Sequence, residues 1–126
     1  MPTRRDPVVL TLPTDAHAPH RARHFVRDAA GEGVTEDALD RVELLVSEVV
    51  TNAVRYGAPP ITLAVEHEDH ELVVRVSDGN PAPPVQREAQ DWEESGRGIA
   101  LVEALSDGWG VEPAPDGKSV WFRLHA

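Results

Sequence analysis

Hydrophobic and polar positions follow two different periods along this chain. Apolar residues recur at steps of three and four over residues 39–53, which predicts an amphipathic helix. Thr35 provides a cap in front of this helix and Gly57 ends it. Over residues 61–77 apolar and polar residues alternate, with a turn at residues 68–70, which predicts a β-hairpin.

The other predicted elements are shorter. They are a strand over residues 8–12, a helix over 16–30, a helix over 99–105, and a hairpin of residues 109–112 and 119–124. Between the first hairpin and the third helix, the chain is first rich in Gly and Pro and then acidic, which predicts a long loop of the kind that is usually functional. The order of elements indicates an α+β fold in the form of a two-layer sandwich.

The charge and the composition restrict the classes of ligand. With 12 Lys+Arg against 22 Asp+Glu the formal net charge is −10, which argues against sequence-independent binding of nucleic acid or of an anionic membrane. An anionic ligand remains compatible, because local cations and backbone N–H groups can hold it. The absence of Cys excludes disulfide and thiol chemistry. No targeting or membrane-spanning stretch is visible, so we expect a cytoplasmic protein.

One pair of polar residues stands at the edge of the apolar stripe of the long helix. Glu48 and Asn52 are four residues apart and share a helical face. A carboxylate there can orient a nucleophile, and a carboxamide can ligate Mg²⁺, which prefers oxygen ligands. A Glu–Asn pair on a solvated face also explains the spacing, and spacing alone favours that interpretation.

Two further motifs flank the long loop. Asp78 ends a buried strand, where it is either a turn former or a fixed acceptor for an exocyclic amine. Gly96, Arg97 and Gly98 lead into the third helix, where glycine allows close approach of a ligand and helix-terminal N–H groups can hold phosphates. A Gly-x-Gly turn at the start of a helix is by itself weak evidence.

In this order and spacing, the three motifs resemble those of the GHKL-superfamily ATP-binding domain, the Bergerat fold. Glu48 and Asn52 resemble its N box, the segment from Asp78 its first glycine box, and the segment from Gly96 its second glycine box. Within that superfamily, residues 47–57 and 117–124 most resemble anti-sigma-factor serine/threonine kinases and the stand-alone ATP-binding regulators of actinobacteria. The resemblance covers residues 8–124. It implies a mixed, mostly antiparallel sheet covered by helices, in a single domain over residues 1–126 with an ATP lid at about 80–95.

The resemblance also implies a role for each motif residue. Glu48 would be the catalytic group, as a general base or as the residue that orients the attacking hydroxyl. Asn52 would ligate Mg²⁺, Asp78 would accept a hydrogen bond from the adenine amino group, and the Ser119 hydroxyl would lie near the adenine. Three residues at the start of the third helix would hold the phosphates of ATP: Gly96, Arg97 and Gly98.

The first glycine box departs from the family pattern, because Asn80 and Ala82 stand where the family has glycines and prolines follow. Two functions are therefore in question. One is a kinase that phosphorylates Ser or Thr of an antagonist protein and sequesters a sigma factor. The other is a catalytically weak, nucleotide-gated protein-binding module. A sensor histidine kinase fragment is disfavoured, since no helical hairpin is predicted before Thr35. The resemblance also implies a homodimer.

Overall fold

The computed structural model describes residues 7–68, 70–81 and 97–125, with the side chains of residues 97–99 outside the description. Its elements follow the predicted order, and their ends differ from the predicted ones by one or two residues. They are β1 (Val8–Leu12), α1 (Ala18–Ala30), α2 (Glu36–Tyr56), β2 (Ile61–Glu68), β3 (Glu71–Asp78), α3 (Arg97–Leu105), β4 (Gly108–Ala114) and β5 (Gly117–His125). The predicted lid lies almost entirely outside the described residues.

Local signals account for the limits of α2. The Thr35 hydroxyl accepts a hydrogen bond from the backbone N–H of Ala38, with 3.1 Å between the two atoms, which satisfies one of the free donors at the start of the helix. Glu36 and Asp37 lie in the first turn, where the helix dipole favours negative charge. At the other end, Gly57 donates its N–H to Ala53. The predicted cap and stop are thus confirmed.

The five strands form one sheet in the order β1-β2-β3-β5-β4, and each pair of neighbours is antiparallel. The expectation of a mixed sheet therefore does not hold for the described strands. The reason is topological: β4 runs in the same direction as β3, but the final hairpin places β5 between them. No two adjacent strands of the described sheet are parallel.

One face of the sheet is covered by the helices. α1 and α2 pack on it, and α2 lies against both α1 and α3. On β2, β3 and β5 every second residue points into this interface, as the two-residue period of a strand requires. The fully buried side chains of the core with the largest volumes include Phe122, Leu45, Ile61, Leu63, Leu72 and Leu124. Among the described helices, none has the length and apolar character needed to cross a membrane.

Candidate functional site

Glu48 and Asn52 lie on the flank of α2 that faces away from α1. Ser47 accepts a hydrogen bond from Arg23 of α1, with 2.9 Å between Nη1 and Oγ, so α1 lies on the Ser47 side. A step of about 100° per residue places Glu48, and one turn later Asn52, beyond the buried stripe on the other flank. α3 packs against α2, and both side chains are half-buried. The two residues therefore lie on the flank of α2 opposite α1.

Asp78 is the last residue of β3, and its side chain points to the helix-covered face. Every second residue of β3 is buried, namely Leu72, Val74, Val76 and Asp78. The two-residue period of the strand therefore places the Asp78 carboxylate at the edge of the core. The carboxylate lies against the end of α2: a Cβ built on Gly57 would be 2.7 Å from Asp78 Cγ. Only a residue without a side chain can occupy position 57 in this arrangement.

Asp78 thus lies against the C-terminal end of α2, and the N-box residues Glu48 and Asn52 lie in the same half of this helix. Gly57, which contacts Asp78, is about 7.5 Å further along the helix axis than Asn52, at 1.5 Å per residue. The structure therefore places three predicted site residues along one helix. They are Asp78, predicted to bind the adenine, Asn52, predicted to ligate Mg²⁺, and Glu48, predicted to orient the attacking hydroxyl.

The Asp78 carboxylate forms a buried ion pair with Lys118. In the antiparallel register Asp78 stands opposite Lys118, so both side chains project to the same face. The ammonium Nζ is 3.2 Å from each of the two carboxylate oxygens, and the exposed fractions of the two side chains are 8% for Lys118 and 6% for Asp78. An isolated carboxylate buried to this degree would be strongly destabilising. Lys118 supplies the compensating charge.

Asn80 holds the segment that follows β3. Its backbone N–H donates to Asp78 Oδ1 at 2.7 Å, and its side-chain amide donates to the backbone carbonyl of Tyr56 at 3.0 Å. The Asn80 carbonyl accepts a hydrogen bond from Lys118 Nζ at 3.1 Å. Asn80 therefore links the end of α2, the end of β3 and the start of β5, in a position where the family pattern has glycine.

The positive charge of Lys118 also offsets the partial negative charge at the C-terminus of α2. The C-terminus of a helix carries a partial negative charge, and the Asp78 carboxylate adds a full negative charge next to it. The ammonium of Lys118 lies between the carboxylate and the Asn80 carbonyl, so it offsets a local excess of negative charge within a chain whose net charge is already −10.

Ser119 is placed away from Asp78. It stands opposite Ser77 in the register, and the two hydroxyl oxygens are 2.7 Å apart. Because successive residues of a strand point to opposite faces, Ser77 and Ser119 project to the open face of the sheet while Asp78 and Lys118 project to the helix side. The structure does not bring the Ser119 hydroxyl to the predicted adenine site; Lys118 occupies the corresponding place.

The phosphate-binding motif is described only in part. Gly96 lies outside the described residues. Arg97 and Gly98 are the first two residues of α3, which agrees with a glycine-containing helix start, and the Arg97 side chain is not among those described. Within the described residues no group of three or more His, Asp or Glu side chains could hold a metal ion.

The chain matches the family model of the histidine kinase-like ATPase domain over residues 12–124. Since the match covers most of the chain, the protein belongs to this family. The α+β sandwich and the resemblance to a GHKL-type ATP-binding domain are thereby confirmed.

Similar proteins include two anti-sigma F factors. The chain is 31% identical over 90 residues to that of Clostridium acetobutylicum, covering 62% of this chain and 63% of that protein. It is 27% identical over 105 residues to that of Bacillus licheniformis, covering 72% of each. It is also 28% identical over 98 residues to the signal transduction histidine-protein kinase AfsQ2 of Streptomyces coelicolor, covering 64% of this chain but only 18% of the kinase. The two anti-sigma F factors support the anti-sigma kinase type of the resemblance.

A solved structure of the RsbU and RsbW domains of Rv1364c from Mycobacterium tuberculosis shares the fold. Its TM-score is 0.73 at 21% sequence identity, and the match covers 96% of this chain and 32% of that chain. At this level of identity the likeness concerns the fold.

Two residues of the site were not predicted from the sequence, namely Lys118 and Asn80. A signal for Lys118 was nevertheless present. It is the only Lys in the chain, and it shares the parity of Val120, Phe122 and Leu124 along the strand, which are the residues that point to the core. Asn80 carried no such signal, because its bonds depend on a helix end that is distant in sequence.

Proposed function

We propose that the chain binds ATP, with the adenine amino group donating to Asp78. The observation that carries the proposal is the position of this carboxylate: it is fixed by the Asn80 N–H, packed on Gly57, and located at the end of the helix that carries the N box. The family membership established above supports the same ligand. The phosphates would extend along the α2 flank towards the start of α3, where Gly96, Arg97 and Gly98 would hold them.

Asn52 fits Mg²⁺ as the ion that accompanies ATP. Its carboxamide oxygen is a hard donor on a half-buried flank, and Mg²⁺ commonly takes few protein ligands together with phosphate oxygens and water. When bound, the ion would neutralise charge on the phosphates. Glu48, one helical turn earlier on the same flank, would orient an attacking hydroxyl or accept its proton.

The relatives suggest a regulatory role for this chemistry. Two of them are anti-sigma F factors, so we infer that this protein acts in transcription regulation by sequestering a sigma factor and by phosphorylating Ser or Thr of an antagonist protein. The cytoplasmic location and the homodimer expected from the sequence belong to the same proposal.

A second function is favoured by the state of the first glycine box. Asn80 replaces a glycine and is tied to three other residues, so this segment has less freedom to rearrange during a catalytic cycle than a glycine pair would have. In this alternative, nucleotide binding changes the affinity for a protein partner without efficient phosphate transfer.

The binding step is tested by isothermal titration of the purified protein with Mg-ATP and Mg-ADP. We expect saturable binding that Asp78→Asn weakens at least tenfold, because the variant replaces a charged acceptor by a neutral one. The control is Asp107→Asn, which changes an exposed carboxylate that caps the end of β5. Equal affinity in the wild type and in Asp78→Asn would refute the proposed adenine site.

The two functions are separated by transfer of radiolabelled phosphate from ATP to antagonist proteins of the same genome. A kinase should lose transfer by a factor of roughly 10² to 10⁴ in Glu48→Gln while it retains ATP binding. Glu43→Gln is the matched control, because Glu43 lies on the opposite flank of α2 and pairs with Arg27 of α1 at 2.9 Å. Absence of transfer by the wild type, together with nucleotide-dependent partner affinity, would favour the binding module.

A further inference from the structure

The buried pair at the edge of the core offers a ligand both an acceptor and a donor. The Asp78 carboxylate only accepts hydrogen bonds, whereas the Lys118 ammonium only donates them. The two groups are 3.2 Å apart, lie opposite each other on neighbouring strands, and project to the same face of the sheet. A small planar molecule that presents a donor next to an acceptor would match both groups at once.

Each member of the pair has capacity for a further hydrogen bond. An ionised carboxylate offers about four lone-pair sites, and the described bonds to Asp78 come from Lys118 and from the Asn80 N–H. The ammonium carries three N–H groups that rotate about its terminal bond. It directs them at Asp78 and at the Asn80 carbonyl, so one N–H can turn to a ligand while the other two keep these contacts.

The edge of adenine has the matching pattern, because its exocyclic amino group is a donor and the adjacent ring nitrogen N1 is an acceptor. We propose that Lys118 is a base-recognition residue that donates a hydrogen bond to N1, beside the contact of Asp78 with the amino group. This inference rests on the proposed binding of ATP. It assigns to Lys118 the place beside adenine that the family resemblance implied for Ser119, whose hydroxyl lies on the other face of the sheet.

The arrangement has an electrostatic reason. Adenine is neutral, so it cannot compensate a buried carboxylate, and recognition by Asp78 alone would leave an uncompensated charge inside the protein. With Lys118 beside it, the base meets a pair without net charge. The backbone at this point also leaves little room for movement, since a Cβ on Gly57 would overlap the Asp78 carboxylate and a Cβ on Gly79 would overlap the backbone of Pro59.

The test compares ATP with two analogues by isothermal titration in the presence of Mg²⁺. 1-Deaza-ATP has CH in place of N1, and purine riboside triphosphate lacks the amino group. We expect the wild type to bind ATP roughly ten- to a hundredfold more tightly than 1-deaza-ATP, the effect of one hydrogen bond from a charged donor. In Lys118→Met this ratio should fall close to one, while the preference for ATP over the purine analogue persists.

Arg123→Met is the matched control. Arg123 is the Arg of β5, its side chain is exposed, and it lies near Glu71 at the far end of β3. Both affinity ratios should remain at their wild-type values in this variant. If circular dichroism shows that Lys118→Met does not fold, Lys118→Arg replaces it and should keep part of the preference for ATP over 1-deaza-ATP. The comparison of the two nucleotides on the wild type requires no variant.

Three results would overturn the role of Lys118. They are equal affinity of the wild type for ATP and 1-deaza-ATP, an unchanged ratio in Lys118→Met, and tighter binding of ATP by Lys118→Met than by the wild type. The last result would mean that the ammonium competes with the amino group for Asp78. Failure of the wild type to bind ATP at all would instead refute the proposed function itself, so the two failures are distinguishable.

Discussion

Replacing Lys118 by methionine should lower the stability of the ligand-free protein more than the loss of any exposed cation. The substitution keeps an unbranched side chain of similar length but removes the charge 3.2 Å from the Asp78 oxygens. At this distance and an effective dielectric constant of about 20, the attraction is about 5 kcal/mol. Removing one partner of a buried pair typically costs about 3–5 kcal/mol, a large part of the roughly 5–15 kcal/mol that stabilises a domain.

The double variant Asp78→Asn with Lys118→Met should lose less than the single variant Lys118→Met. It leaves no uncompensated charge in the interior, and Asn at position 78 retains an oxygen for the Asn80 N–H. We therefore expect a coupling free energy of about 2 kcal/mol or more between the two positions, as found for residues in direct contact. The measurement is urea unfolding followed by tryptophan fluorescence and by circular dichroism.

An exposed ion pair of the same sheet provides the control. Arg75 Nη1 lies 3.0 Å from Glu112 Oε2, with exposed fractions of 35% and 59% for the two side chains. Because solvent screens this pair, Arg75→Met should cost less than about 1 kcal/mol. The predicted strength of the buried pair would be contradicted if Lys118→Met cost no more stability than Arg75→Met, or if the losses of the two single variants at positions 78 and 118 simply added in the double variant.

Three other outcomes follow from the contacts of the site and of α2. Gly57→Ala places a methyl group 2.7 Å from Asp78 Cγ, so it should lower stability by about 1–3 kcal/mol and weaken ATP binding about tenfold by displacing the carboxylate, as measured by urea unfolding and titration. Ser119→Ala should leave ATP affinity within about twofold of the wild type, because the Ser119 hydroxyl bonds to Ser77 on the open face of the sheet, away from Asp78. Thr35→Ala should cost about 1 kcal/mol in urea unfolding, since the hydroxyl caps α2 at the Ala38 N–H.

Each of these predictions has a control. Gly33→Ala introduces backbone strain at a φ of +88° with nothing within 4 Å of the added methyl group, so it should lower stability without changing ATP affinity; a loss of affinity as large as in Gly57→Ala would contradict the role of the contact with Asp78. Thr35→Ser keeps the capping oxygen and should be close to the wild type. A large loss of ATP affinity in Ser119→Ala would contradict the assignment of the two faces of β5.

Interactions between residues close in sequence made most of the fold predictable. The cap at Thr35, the periodic apolar residues of α2 and the stop at Gly57 all act within a few residues of one another, so the sequence was sufficient to place this helix. The two hairpins were predictable for the same reason, because their turns lie between alternating strands. The order of elements indicated the two-layer α+β sandwich, which the family match confirmed. The mixed sheet implied by the resemblance to the GHKL family was wrong, because all adjacent strands of the described sheet are antiparallel.

The pairing of β3 with β5 could not be predicted in this way. Asp78 and Lys118 are 40 positions apart, and their contact depends on the register of two strands that are joined through α3 and β4. A slip of one residue would have placed Ser119 opposite Asp78 and turned its side chain to the other face. The polar residues along α2 and at the end of β3 were visible in the sequence. The partner of Asp78, and with it the electrostatic character of the site, followed only from the tertiary packing that buried both charges together.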